Sequence, residues 1–436
     1  MTSLQVRTEP AQADAGADLL LDWFGRTDAS TVRYEPGFLT GLAPTAVSRD
    51  LLRLGASVYC TDKLVSRNTT ADLWTRQLSL QVPVSNPALW DAAKPELVAA
   101  LSFLSGDRWE LDFVADTNEP PEADALGADC GVSLFSGGLD SLAGAIDQLE
   151  AGRELVLVGH HDSGLTDKQQ KLLGAALKDR YGSERVELRR LYLRPGGQRK
   201  GPARPLPASV ENTTRSRSFL FFAAGVAVAD ALGDTVPLMV PENGFIGINV
   251  PLTAARAGSL CTRTTHPLFM HRVSNVLAQV GLRHTIENPY RLMTKGEELD
   301  ESANQSFLLK LAPQTISCSH PEAPRWAKRA QGNCGYCYPC LIRRASLHHV
   351  GADQDAYAWD ALHESELLAP SSARGRSLRA LTASLAREER VEDVLVNGRI
   401  PNGETTKFFD VYRRGRTELR EWLRGAGPEL RRRLVN

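Results

Sequence analysis

The sequence predicts an α/β protein. A doubly wound parallel sheet is expected over residues 129–350, between an N-terminal α+β accessory domain (1–128) and a helical, basic C-terminal extension (351–436). Three observations lead there. From Gly131 onward, short apolar runs alternate with helical patterns, the signature of a parallel sheet covered on both faces. Before Gly131, two stretches alternate apolar and polar residues with period two, as half-buried strands do. The composition is that of an ordinary globular chain: 436 residues, 42% hydrophobic, 24% charged, 51 Lys+Arg against 52 Asp+Glu. It excludes a disordered chain, a fibrous repeat and a highly charged nucleic-acid coat, and the length suits two or three domains at roughly 100–200 residues each.

The elements follow in order. Leu78, Leu80, Val82 and Val84 alternate with polar or Pro residues, and Trp109, Leu111 and Phe113 alternate with acids; Asn86 to Leu104 between them is helical. Asp116 to Asp129 is rich in Pro, Ala and acids and reads as a linker. Val132–Phe135, Leu155–Val158, Val186–Leu193 and Val236–Val240 are strand candidates. Leu139–Glu150, Lys168–Tyr181 and Asn212–Leu232 are the helices between them. Arg194 to Pro207, with four Pro, three Gly and four basic residues, reads as a mobile basic loop. Beyond Val350 the chain is helical; residues 371–436 hold 15 Lys+Arg and 9 Asp+Glu. No internal repeat recurs at a fixed period.

The net charge of −1 hides a split. Residues 1–129 hold 10 Lys+Arg and 19 Asp+Glu, so −9, and the remainder sums to +8. An acidic surface repels RNA, so the N-terminal unit is expected to be a protein-docking or self-packing module. No signal peptide is visible, and the longest apolar stretch, Phe219 to Ala229, is too short to cross a bilayer as a helix. The expected location is cytoplasmic, with no membrane partner. Cys318, Cys334, Cys337 and Cys340 cluster while Cys60, Cys130 and Cys261 are isolated, which favours a metal site over a disulfide framework.

The sharpest local feature is Ser136-Gly137-Gly138-Leu139-Asp140-Ser141, between a strand and a helix. Glycines let the backbone approach a phosphate, the helix N-terminus offers unpaired N–H groups, and two serines add hydroxyls. Asp140 would repel the anion unless Mg²⁺ bridged it to phosphate oxygens. The plain alternative is a glycine turn with a Ser or Asp cap; the full hexapeptide in strand–loop–helix context favours phosphate. The four clustered cysteines, separated by 15, 2 and 2 residues, suit a closed tetrahedral Zn²⁺ site, with an iron–sulfur cluster as the second option. A closed four-thiolate shell leaves no open position, so the metal should be structural.

The hexapeptide resembles the PP-loop of the ATP pyrophosphatase superfamily, whose members cleave ATP between the α and β phosphates and adenylate a substrate oxygen. It is not a Walker A motif, which ends in Gly-Lys-Ser/Thr. Together with Cys334-Gly335-Tyr336-Cys337-Tyr338-Pro339-Cys340-Leu341-Ile342-Arg343, the chain resembles the 7-cyano-7-deazaguanine synthase (QueC-like) family. Asn212 with Arg215-Ser216-Arg217, Pro241-Glu242-Asn243-Gly244 and Thr294-Lys295-Gly296-Glu297 carry the likeness further, over about half the chain (130–350). The resemblance implies a PP-loop, adenine nucleotide alpha-hydrolase-like sheet with a zinc knuckle, using ATP, Mg²⁺ and Zn²⁺. It implies that Ser136, Gly137, Gly138, Leu139, Asp140, Ser141, Arg215 and Asn243 bind the nucleotide, and that Asp140, Lys295 and Arg217 serve catalysis. Read without it, Lys295 is as readily a solvated lysine, and the two arginines a helix-surface ion pair. Glu242 is a further candidate for the purine edge. His160, His161 and His266 are candidate general bases, more often structural.

The chain departs from the family in its two extensions, in Gly159-His160-His161-Asp162 after the second strand, and in Ser259 to Pro267, where a Tyr-Pro-Asp-Cys-like segment is expected. These departures bear on the nitrile-forming last step. The layout resembles long QueC-like members of Qat-type antiphage operons. That implies joining a 7-deazaguanine carboxylate to an amine, with a protein of the same operon as partner. Deleting residues 1–128 is then expected to spare ATP binding and weaken partner modification. Competing readings are a nitrile synthase using ammonia, a tRNA-modifying enzyme contacting nucleic acid through Arg413 to Arg433, and a non-catalytic scaffold. An amidotransferase is disfavoured: Thr2 follows Met1, and residues 1–59 hold no cysteine.

Overall fold

In the computed structural model the described residues are 1–7, 17–22, 32–35, 37–116, 130–195, 211–212, 215–253, 262–329, 331–353, 357–428 and 430. The linker beyond Asp116, the basic loop from residue 196, residues 259–261 of the replaced segment and Arg431 to Arg433 lie outside them.

The N-terminal unit runs β1 (Thr2–Arg7), β2 (Leu19–Asp22), β3 (Val32–Tyr34), α1 (Ala46–Leu64), β4 (Gln77–Val84), α2 (Pro87–Ser105) and β5 (Arg108–Ala115). Its sheet has the order β2-β1-β4-β5, and every pair is parallel. This corrects the α+β expectation. The 19-residue helix α2 carries the chain from the end of β4 back to the start of β5, and such a crossover makes neighbouring strands parallel. Asn86 caps α2 through its side chain, and Gly106 ends it at φ +77°.

The central unit continues with β6 (Gly131–Leu134), α3 (Leu139–Glu150), β7 (Leu155–His161), α4 (Gly164–Tyr181), β8 (Val186–Pro195), α5 (Arg217–Leu232), β9 (Leu238–Met239), α6 (Gly244–Ile248), α7 (Pro267–Gln279) and β10 (Ile286–Glu287). Its sheet order is β10-β9-β6-β7-β8-β3. All pairs are parallel except β3, which runs antiparallel to β8. The chain steps outward from β6 to β8, then returns to the other side of β6 for β9 and β10. The order therefore reverses between β6 and β9, where doubly wound sheets open a crevice at the strands' carboxyl ends.

The N-terminal unit is fused to this sheet. Besides β3 at its edge, α1 packs along α5, and Leu51, Leu54, Val58, Phe219, Leu220 and Ala223 belong to one continuous core. At the crossing a Cβ on Gly55 would lie 2.8 Å from the Ala223 Cβ and 3.2 Å from the Leu220 Cα. Gly55→Val should therefore cost about 1–3 kcal/mol through overpacking, readable by chemical denaturation.

Among the described residues, four acids of the unit are buried: Asp50, Asp62, Asp107 and Asp116. Arg76 joins Asp62 and Asp107 at 2.6 Å each, Arg67 pairs Asp107 at 2.9 Å, and Arg53 pairs Asp116 at 2.7 Å. Part of the acidic excess is thus neutralised inside the fold.

The remaining helices are α8 (Lys295–Asp300), α9 (Gln305–Leu311), α10 (Ala323–Trp326), α11 (Tyr338–His349), α12 (Arg376–Leu385) and α13 (Thr405–Arg424). A second core joins Phe245 and Ile248 to Leu341, Trp359, Val411 and Trp422, so the C-terminal extension closes over α6 and α11. Among the described residues, three of its arginines are ion-paired within the chain: Arg414 with Glu297, and Arg416 and Arg420 with Glu389. Among the described residues no helix is long and apolar enough to cross a membrane.

Candidate functional site

The glycine loop lies at the carboxyl end of β6, beside the reversal point. Gly137 holds φ +83°, and Gly138 is the N-cap of α3 with no side-chain cap bond. The loop is tied internally: the Gly138 N–H donates to Ser136 Oγ (3.2 Å), Ser141 Oγ donates to the Gly138 carbonyl (3.0 Å), and the two serine hydroxyls lie 3.2 Å apart. Gln170 of α4, fully buried, donates its amide to the Phe135 and His160 carbonyls at 3.1 and 3.3 Å, locking the ends of β6 and β7 together.

Three segments meet at Asp140. Asn243, after β9, gives its backbone N–H (3.2 Å) and side-chain amide (2.8 Å) to one carboxylate oxygen. Lys295, first residue of α8, ion-pairs with the other. Asp140 is 7% exposed and Lys295 6%. Burial pulls the Lys295 ammonium down to about 8, while Glu298 pulls the other way. Asn243 also caps α6, its side-chain oxygen accepting from the Ile246 N–H. Thr294 and Glu297 form a reciprocal capping box that starts α8, which gives Thr294-Lys295-Gly296-Glu297 a structural basis of its own. From α13, Glu418 accepts from the Gly296 N–H at 3.3 Å and bonds Thr294 Oγ1.

Two further acids join this group, Glu298 buried and Glu242 half-buried. Glu298, three residues beyond Lys295, is wholly buried, and neither of its oxygens has a hydrogen-bond partner among the described residues; burial raises its carboxyl to about 8. Its only sequence signal is its place one turn along a very short helix. Glu242 is raised to about 7 by burial, although Thr265 donates to it at 3.1 Å. Beside it a cavity of about 410 Å³ is lined by Gly244, Thr265, Met270, His271, Asn288 and Phe408, among others.

The two arginines of the Arg-Ser-Arg segment part company. Arg217 bonds His160, which lies at the end of β7 on the same carboxyl edge as the loop. Arg215 stacks over Trp74 of the N-terminal unit, 4.6 Å from the ring centroid, and is not brought to Asp140. The three candidate histidines are all buried. His160 is fully buried with both ring nitrogens bonded, and burial lowers it to about 3. His266 caps α7 through Nδ1 and is likewise lowered to about 3 by burial. Among the described residues His266 Nε2 has no hydrogen-bond partner. His161 is buried with Nε2 3.6 Å from Asp167.

The cysteine cluster assembles. The four Sγ atoms of Cys318, Cys334, Cys337 and Cys340 all lie within 4.8 Å of one another, with two pairs at 3.8 and 3.9 Å. A single tetrahedral ion with bonds of about 2.3 Å places its sulfurs about 3.8 Å apart, so the group could hold a metal such as zinc. Backbone N–H groups of His320 and Cys334 donate to Cys318 Sγ at 3.3 Å, and that of Cys337 to Cys334 Sγ at 3.4 Å, supporting thiolate charge.

The strand of chain entering this centre also braces the glycine loop. The Ile316 N–H donates to the Gly137 carbonyl (3.1 Å), and Ser317 Oγ accepts from the Leu139 N–H (3.4 Å). Asn333 and Arg343 bind the same segment through Ser317 and Thr315. Cys334→Ser should therefore lower bound metal from about one ion per chain toward none and raise amide exchange across residues 135–141. Elemental analysis and hydrogen–deuterium exchange read the two effects separately.

No family model, curated protein or solved structure matches this chain.

Proposed function

We propose that this chain is an ATP-dependent carbon–nitrogen ligase of the QueC-like type. It adenylates the carboxylate of a 7-deazaguanine acid and passes the acyl group to an amine. The observation that carries the reading is the glycine loop at the sheet's reversal point, with Asp140 drawing Asn243 and Lys295 onto it from two distant segments. That combines an anion cradle, a carboxylate and a buried cation within one crevice, the components needed when a diphosphate leaves.

In the proposed reaction a substrate carboxylate oxygen attacks the α-phosphorus of ATP, and pyrophosphate departs with the electron pair of the broken P–O bond. An amine then attacks the acyl carbon, loses a proton, and AMP leaves. The loop N–H groups and Lys295 would hold the departing phosphates. Mg²⁺ would be held at Asp140 and would neutralise phosphate charge; Zn²⁺ would sit at the four cysteines as a structural ion. The cavity beside Glu242 and Asn243 is the natural place for the heterocycle.

The amine is proposed to belong to a partner protein of the same antiphage operon. A secondary amide lacks the second N–H needed for dehydration, so this product excludes the nitrile that ammonia would give. The engagement of Arg414, Arg416 and Arg420 within the chain favours a protein partner over nucleic acid.

The test is pyrophosphate release from ATP with 7-carboxy-7-deazaguanine and Mg²⁺, followed by intact mass of operon proteins added to the reaction. Acid-dependent pyrophosphate and a deazaguanine-sized adduct support the proposal. Free amide or nitrile would return the chain to precursor synthesis, and no pyrophosphate would leave it a scaffold.

A further inference from the structure

We propose that the N-terminal unit builds an anion-binding point into the crevice: α1, through Tyr59 and Asp62, sets Arg217 so that its Nη1 receives an oxyanion of the bound substrate. The inference rests on reading the crevice as a nucleotide site, and goes beyond it by making residues of the extension part of the binding machinery.

The argument starts at Arg217, the first residue of α5. Its Nε donates to His160 Nδ1 (3.0 Å) and its Nη2 to the His160 carbonyl (2.9 Å); the guanidinium lies 5.4 Å over the Phe221 ring and interacts with the Asp162 carboxylate, while Nη1 makes no hydrogen bond among the described residues. A half-buried guanidinium with two nitrogens fixed and one remaining is a directed donor. His160 is suited to hold it. Its Nε2–H donates to the Leu193 carbonyl (2.8 Å), which leaves Nδ1 as the lone-pair acceptor. A protonated imidazole would present N–H to N–H and release Arg217. Full burial keeps His160 neutral.

The N-terminal unit fixes both partners. The Tyr59 ring lies edge-on to His160 at 5.1 Å, with Phe221 on another side at 5.7 Å. The Tyr59 hydroxyl donates to Asp162 Oδ2 at 2.8 Å, so a carboxylate that interacts with both His160 and Arg217 is held by α1. One turn along, Asp62 Oδ2 accepts from the backbone N–H (2.9 Å) and hydroxyl (2.7 Å) of Ser216, the residue that starts α5. The other oxygen of Asp62 pairs with buried Arg76. Arg217 therefore takes its backbone position from Asp62 and its side-chain direction from His160. The His160 carbonyl also accepts from Gln170, whose amide reaches Phe135 at the foot of the glycine loop. Arg217 is thus connected to the loop through two residues.

The anion is a phosphate of the nucleotide or the carboxylate of the acid, and the two are separable by titration. Full-length protein is titrated with ATP, inorganic pyrophosphate and 7-carboxy-7-deazaguanine. Arg217→Lys should weaken one of these about tenfold, and the one affected names the oxyanion. Tyr59→Phe and His160→Leu should weaken the same ligand roughly fivefold, while His160→Gln, which keeps an acceptor, should stay within about twofold. Independently of ligand, selectively ¹⁵N-labelled protein should show His160 as the neutral Nε2–H form at about pH 5. It should also show a protected Arg217 Nε–H that survives in His160→Gln and is lost in His160→Leu.

A titrating His160, or an Arg217 Nε–H indifferent to His160→Leu, overturns the positioning. Unchanged affinities in Arg217→Lys, or no binding of any of the three ligands, overturn the anion point. Asp140→Asn separates the two readings. If it weakens ATP binding while the Arg217, His160 and Tyr59 variants do not, this inference fails and the nucleotide reading stands. If it has no effect while Arg217→Lys does, the loop reading fails and the anion point stands.

Discussion

Removing residues 1–128 will leave a chain that does not fold and that loses the proposed ATP binding, the opposite of what the sequence suggests for a detachable acidic module. Truncation strips α1 from α5 and exposes Phe219, Leu220 and Ala223, each at most 1% exposed in the intact chain. A large apolar side chain contributes about 1.5–3 kcal/mol on burial, and net stability is only about 5–15 kcal/mol. The loss of β3 also bares the edge of β8, an invitation to aggregate. Asp62 leaves the start of α5 at the same stroke. Soluble yield, circular dichroism and ATP titration of residues 129–436 measure the outcome. A soluble, cooperatively melting fragment with unchanged ATP affinity would show the unit to be dispensable.

Asp140→Ala will abolish the proposed pyrophosphate release and also destabilise the protein. It leaves the Lys295 ammonium buried without its carboxylate, and breaking a buried pair from one side costs about 3–5 kcal/mol. Lys295→Met should cost less, because Asp140 keeps both donors of Asn243. The double variant Asp140→Asn with Lys295→Met removes both charges and should recover stability above Asp140→Ala while remaining inactive. Denaturation midpoints and pyrophosphate assays on the three proteins separate the roles. Activity in the double variant would show the pair to be structural alone.

The parts legible in the sequence were those written in contiguous residues. Leu139–Glu150 is a helix with those bounds, and the alternating strands around Leu78 and Trp109 fall where period two put them. The four cysteines meet because their spacing is local apart from one loop. What stayed hidden depends on contacts between distant segments. Asp62 at the start of α5, Gln170 bridging β6 and β7, and Glu418 on Gly296 carry no motif, since each acts through one side chain on a backbone far away in sequence. Helix α1 was missed although 19 residues long, because it is buried on most of its circumference and shows no clean polar face. The parallel order of the first sheet was hidden because alternation reports which face a residue takes, not strand direction.

The reach of Glu418 back to the helix that begins with Lys295 has a consequence for biogenesis. Synthesis runs from the N-terminus, and early segments can fold while later ones are still being made. The glycine loop, at residues 136–141, is translated long before the cysteines that brace it and before the glutamate that bonds Thr294 and Gly296. A nascent chain can form the central sheet, yet it lacks the last brace on the segment bearing its cation until α13 emerges. Ribosome-arrested chains ending before Thr405 should therefore bind ATP far more weakly than released protein. Order of synthesis would then act as a safeguard, withholding the proposed acyl-adenylate chemistry until the polypeptide carrying it has emerged.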